Sequence, residues 1–121
     1  MKQNRINKAY PVLAKLSDLK LPIKKARELY GMTKKMSEHF EFALNEEKKY
    51  IETYGGTLSE NGTISFASPE KFAEFQEKLI ELNESEVDWK ENAIFLTEED
   101  IGEQTVSVSD LYRLEGFVHF E

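Results

Sequence analysis

Apolar residues recur every three or four positions from Ile23 onward: Ile23, Ala26, Leu29, Tyr30, Met36, Phe40, Ala43, Leu44, Tyr50, Ile51 and Tyr54. This spacing places them on one stripe and predicts a long helix over residues 22–54. Pro22 suits a first helical position, where a missing N–H costs nothing. Gly55-Gly56 supplies the stop, because glycine takes the left-handed conformation that ends helices. At 1.5 Å per residue the helix would be about 50 Å long, wider than a small core. Part of it must therefore pair with another helix, with another chain, or not at all. Gly31 offers a break, since glycine costs about 1 kcal/mol against alanine in a helix. Two helices over 22–30 and 33–54 are the alternative.

The flanking patterns are shorter. Ile6, Tyr10, Leu13, Ala14 and Leu16 predict a helix within residues 4–17, bent or begun near Pro11. Residues 17–21 form a turn that folds it back on the long helix. In residues 57–66, Leu58, Ile64 and Phe66 flank Asn61-Gly62, which predicts a β-hairpin with a type I′ turn. Ser68-Pro69 then starts a helix carrying Phe72, Phe75, Leu79, Ile80 and Leu82, running to about residue 86 and antiparallel to the long helix. Residues 93–97 and 105–108 read as two strands of a short hairpin. Ser109-Asp110 is expected to cap a last helix with Leu111, Tyr112, Leu114, Phe117 and Val118 on one side. The expected fold is α+β and mostly helical. It is one domain over 1–121: a long antiparallel helical hairpin interrupted by a β-hairpin, followed by a short C-terminal β-hairpin and helix.

Charge changes this picture. Residues 1–36 hold ten Lys/Arg and two Asp/Glu, a balance of +8, and residues 37–121 hold six and 21, a balance of −15; together they give −7. Such a split reads either as a basic binding arm on an acidic body or as two parts that attract each other. There are no cysteines, which removes disulfides and thiolate chemistry and fits a reducing compartment. No stretch is apolar for long enough to be a signal peptide or a membrane span. A cytoplasmic location, with no membrane contact, is expected.

Candidate chemistry is sparse. His39 and His119 are the only histidines, and they lack the i, i+4 pairing of a helical zinc site. Glu98-Glu99-Asp100 lacks the alternation of a calcium loop and reads as a solvated turn. No catalytic set, cofactor signature or metal site is expected, and an enzyme is not. Lys15, Lys20, Lys24, Lys25, Arg27, Lys34 and Lys35 form a candidate basic patch for phosphates. Against it, the acidic remainder would repel a duplex. Phe40, Phe42, Leu44, Tyr50 and Tyr54 form a candidate interface. Phe42 and Leu44 leave the main stripe and suggest burial against another subunit, with coiled-coil-like self-association.

Residues 6–30, INKAYPVLAKLSDLKLPIKKARELY, resemble a family of small uncharacterised proteins of tailed phages and prophages of Gram-positive bacteria. The matching features are Ala9-Tyr10-Pro11 with Leu13 and Leu16, then Leu21-Pro22-Ile23-Lys24, then a long Glu/Lys-rich helix. A later Glu-rich helix and a closing Leu111-x-x-Leu114-x-x-Phe117 segment are also similar. The resemblance implies a phage or prophage origin and transfers no activity or site residue. The expected function is that of a non-enzymatic accessory protein acting through a phage or host protein, as a virion assembly partner or a modulator of a host protein. Homo-oligomerisation is a further expectation. The alternative is a nucleic-acid-associated protein using the basic N-terminal helices.

Overall fold

The first helix carries the densest burial in the chain. Helix α1 (Gln3–Lys15) buries Gln3, Ile6, Ala9, Val12 and Leu13, and Leu16 follows in the 3₁₀ turn Leu16–Asp18. These positions repeat at three and four, so they fall on one face. The computed structural model describes all 121 residues. After the turn come α2 (Ile23–Thr53), β1 (Thr57–Leu58), β2 (Ile64–Ser65), α3 (Pro69–Glu84), β3 (Ile94–Leu96), α4 (Glu98–Ile101), α5 (Val108–Leu114) and β4 (Val118–Phe120). The fold is mostly helical α+β.

The helix α1 begins at Gln3, and Pro11 lies inside it. The expectation of a start near Pro11 is therefore corrected. Proline here removes one backbone bond, but its ring faces solvent. The buried residues on either side, Ala9 and Val12, hold the helix through it. Gln3 anchors the start. Its N–H donates to the Ser85 carbonyl at 2.9 Å, and its side-chain amide donates to Asn7 Oδ1 at 2.9 Å and the His39 carbonyl at 3.0 Å. A buried amide is thereby satisfied, as burial requires.

The helix α2 is continuous through Gly31, which excludes the two-helix reading. Leu29 and Met32 are both buried in the main core and fix the backbone on each side of the glycine. That core joins α1 to Leu29, Met32 and Met36 of α2, Ile94 and Leu96 of β3, Leu114 of α5, and Phe117 and Val118. It thus occupies the N-terminal half of α2. Trp89 packs edge-on against the fully buried Phe117 ring, at 5.6 Å and 81°.

The distal half of α2 leaves this core and pairs with α3, forming an arm in which only Ala43, Phe75 and Leu82 are buried. The β-hairpin joins the two helices at the tip. Its register is Thr57↔Ser65 and Leu58↔Ile64, antiparallel. The type I′ expectation is corrected, since no residue except glycine has a positive φ. Asn61 therefore keeps the ordinary backbone, and Gly62 alone is left-handed (φ 84°). The Gly62 N–H bonds the Ser59 carbonyl at 3.0 Å, closing a turn followed by a left-handed glycine, the three-residue hairpin loop. The Asn61 side chain instead accepts from Thr63 N–H at 3.2 Å. At the helix end, Gly55 supplies the positive φ (71°), whereas Gly56 supplies space: a Cβ there would lie 2.8 Å from Ile51 Cγ2 and 2.9 Å from Phe66 Cε1. Phe66 in turn packs on Phe72 and Phe75, with ring centroids at 5.7 and 4.9 Å, and docks the hairpin on α3. Ser68 caps α3 as expected, accepting from Lys71 N–H at 3.2 Å.

The C-terminal hairpin is also corrected. Residues 105–108 are not a strand; β3 pairs in parallel with β4, in the register Ile94↔Val118, Phe95↔His119 and Leu96↔Phe120. Two competing signals explain the difference. Ser107 and Asp110 form a reciprocal capping box, which starts α5 at Val108 and overrides the alternation of Val106 and Val108. The expected cap at Ser109 thus shifts to Ser107. Val118 leaves the helix for the strand because Gly116 takes φ 84° and ends the helical run. A parallel pair needs a long crossover, and α4 and α5 supply it.

Leu13 is fully buried and Leu13→Ala should destabilise the chain by about 2–5 kcal/mol in urea unfolding followed by Trp89 fluorescence. Gly31 is helical and a Cβ there meets nothing within 4 Å, so Gly31→Ala should raise stability by up to about 1 kcal/mol in the same assay.

Candidate functional site

The basic and acidic parts of the sequence meet within the fold. Four ion pairs join distant segments: the Met1 amine to Glu86 at 2.8 Å, Lys2 to Glu84, Lys25 to Asp100, and Lys35 to Glu91. Each takes its cation from the basic first part and its carboxylate from the acidic remainder. The other four pairs, Lys49–Glu46, Lys71–Glu74, Lys78–Glu81 and Lys90–Asp88, are local. The charge split therefore serves at least partly as internal attraction.

The acidic stretch after β3 illustrates the consequence. Glu98-Glu99-Asp100 opens the one-turn helix α4, capped by a reciprocal box between Thr97 and Asp100. The reading as a turn missed this, although Thr-x-x-Asp is the signal for such a box. Asp100 reaches Lys25 on α2. The hydrogen bond from Lys25, with a further one from the Thr97 N–H, holds the Asp100 carboxyl below its ordinary range. At the cleft between α2 and β3, Glu91 raises the Lys35 ammonium above its ordinary value. This cleft, about 430 Å³, is lined by Arg27, Glu28, Lys35 and Glu91 among others, so its charges balance.

Of the seven residues of the candidate basic patch, Lys25 and Lys35 are thus neutralised by internal partners. Lys15, Lys20, Lys24, Arg27 and Lys34 are exposed and have no carboxylate within ion-pair reach. They surround the turn between α1 and α2 and the first turns of α2.

The candidate interface residues do not share one surface. Phe40 is half-buried and stacks on Tyr10 of α1 at 4.7 Å. Tyr50 and Tyr54 are also half-buried. Phe42 and Leu44 are exposed, at 55% and 41%. They lie two residues apart, roughly 200° around the helix, and so flank the buried stripe on opposite sides. Leu44 turns toward α3, where it shares a small cleft of about 180 Å³ with Phe40, Leu79 and Leu82. Phe42 faces solvent. The arm exposes further large apolar side chains of the hairpin and of the α3 stripe: Leu58 at 66%, Phe72 at 44% and Ile80 at 62%. Ile80 is separated from Phe75 and Leu82 by 500° and 200°, so helical phase alone could have placed it off their face.

The two histidines are apart: His39 lies edge-on to Trp89 at 6.1 Å, and His119 against Phe95 at 5.2 Å. No three His, Asp or Glu side chains converge on a common point. The indole N–H of Trp89 meets no acceptor within the chain, and its ring packs edge-on against Phe117 and His39. No helix is long and apolar enough to cross a membrane.

The Lys25–Asp100 pair gives a pH signature. Asp100 has its folded pKa depressed, so the stabilisation is present above the ordinary carboxylate value and is lost as pH falls through the folded one. The stability difference between wild type and Lys25→Met should be constant near neutrality. It should shrink below about pH 4, where Asp begins to protonate. Chemical denaturation at a series of pH values checks this; a difference that grew toward acid would refute the assignment.

No family model, no curated protein and no solved structure matches this chain. The likeness to a phage family accordingly rests on the sequence motifs alone.

Proposed function

We propose that this chain is a non-catalytic accessory factor of phage or prophage origin that binds another protein, as a virion assembly partner or a modulator of a host protein. The contact surface is the arm formed by distal α2, α3 and the hairpin. One observation carries this reading: Phe42, Leu58, Phe72 and Ile80 are exposed on an arm that buries only Ala43, Phe75 and Leu82. Large apolar groups left exposed on an element with so few buried residues support an interface over a solvated face. Phenylalanine is among the residue types enriched in the buried centre of protein contacts. The arm also sets the partner's chemistry. Residues 37–86 hold twelve Glu and four Lys, a balance of −8, so the partner surface is basic around its apolar contacts. The origin is supported by the resemblance over residues 6–30.

A second reading, nucleic-acid association through the basic N-terminal helices, is favoured by the five unpaired cations around the α1–α2 turn. It is weakened by the neutralisation of Lys25 and Lys35.

A tagged chain should retain a stoichiometric protein partner from nuclease-treated lysate. Phe42→Glu combined with Ile80→Glu should abolish that capture while leaving the circular dichroism unchanged, because both side chains already face solvent. Equal capture by the variant would remove the arm as the binding surface. For the second reading, a mobility shift of labelled nucleic acid should weaken steeply as salt rises. Absence of any shift at low salt would exclude it.

A further inference from the structure

We propose that a cleft between α1 and α5 is a binding site for a dianionic phosphate group, either free or as the terminal phosphate of a small monoester. This goes beyond the protein-binding reading and uses different elements. Arg5, Lys8, Ser109, Tyr112 and Arg113 line the cleft, whose volume is about 380 Å³. Pockets for small ligands begin at about 300 Å³, so there is room for a phosphate and a modest organic body.

Helical spacing assembles the site. Arg5 and Lys8 are three residues apart on α1, and Ser109, Tyr112 and Arg113 stand at i, i+3 and i+4 on α5. Each set therefore shares one face of its helix. The two faces are brought together by the core beneath, where Ile6 and Leu114 are both fully buried.

The charge of the cleft is unusual for this chain. The overall balance is −7, yet no carboxylate lines the cleft. None of Arg5, Lys8 and Arg113 takes part in an ion pair. By contrast, the cleft between α2 and β3 carries matched charges. Three clustered cations without a counter-charge repel one another, and a multivalent anion relieves that repulsion.

Arg5 is already positioned. Its guanidinium lies over the Phe117 ring at 5.3 Å and donates through Nη2 to the Glu115 carbonyl. The turn that presents the Glu115 carbonyl to Arg5 is followed by Gly116, whose φ of 84° favours glycine. A guanidinium has five N–H donors, so donors remain for a ligand oxygen. The Ser109 and Tyr112 hydroxyls add two neutral donors. A phosphate monoester carries about −1.5 to −2 charges at neutral pH and offers three acceptor oxygens. That matches three cations and two hydroxyls better than a phosphodiester or a carboxylate, each with a single charge.

The test titrates the full chain with inorganic phosphate, a nucleoside 5′-monophosphate, and an oligonucleotide lacking a terminal phosphate, by calorimetry at low salt. Saturable one-to-one binding of inorganic phosphate or of the monophosphate is expected. Lys8→Glu and Arg113→Glu should each weaken it by about tenfold or more, since a charge-assisted contact is replaced by repulsion. Both side chains are exposed, so the fold should persist, as circular dichroism would verify. Equal affinity for inorganic phosphate and the monoester would place recognition in the phosphate alone, whereas tighter binding of the monoester would assign contacts to its organic body. The proposal is overturned if neither probe binds saturably. It is equally overturned if both variants bind like wild type, or if the oligonucleotide binds more tightly per site than the monophosphate. Loss of protein capture through the arm would leave all these outcomes unchanged.

Discussion

Burial of one face of α1 is the constraint on which the rest depends. Ile6, Ala9 and Leu13 have no exposure, and Val12 and Leu16 almost none. Around this face gather the first half of α2, the β3–β4 pair, α5 and the Phe117 ring. The two-stranded parallel sheet could not stand alone in water. It persists because Ile94, Leu96 and Val118 turn inward onto the helices. Gln3 extends the same dependence to the end of α3 through its N–H bond to Ser85, and to α2 through His39. Without α1, the first half of the long helix would lose its main helical partner and keep only its contacts with β3 and the segments beside it.

Electrostatics works within that frame. Exposed ion pairs contribute little to stability individually. Their value here is directional. Lys2 and the Met1 amine hold the end of α3, Lys25 holds α4, and Lys35 holds the segment before β3. Three segments of the acidic part, the end of α3, the approach to β3 and α4, are thus tied to the basic part. Most of the cations left over fall in two groups, those scattered around the α1–α2 turn and the three that converge between α1 and α5, with Lys48 standing apart on distal α2.

The arm follows a different economy. It has few buried apolar side chains, and its tip is held by aromatic packing of Phe66 on α3 and the tight fit at Gly56. Such a region exposes large side chains without endangering the main core. This separation leaves the main core around α1 independent of the side chains that the arm exposes.

The helices were written in the local sequence. Their apolar spacing, the Ser68-Pro69 start and the Gly55-Gly56 stop depend on residues a few positions apart. The β-hairpin was legible for the same reason, though its loop type turned on the backbone of Asn61. The long helix passed through Gly31 because Leu29 and Met32 are anchored in the core, a fact of packing and not of propensity. Strand pairing at the C-terminus was likewise hidden, since β3 and β4 are joined across a crossover of two helices. Alternation at Val106 and Val108 resembled a strand until the capping box at Ser107 and Asp110 claimed the segment. The candidate sites divide in the same way. Sequence alone determined which residues were basic or aromatic and how they were phased on each helix. Only the tertiary structure decided that Lys25 and Lys35 meet carboxylates, that Phe40 meets Tyr10, and that Arg5, Lys8 and Arg113 meet no carboxylate. Those outcomes depend on contacts between residues distant in the chain, and local periodicity carries no information about them.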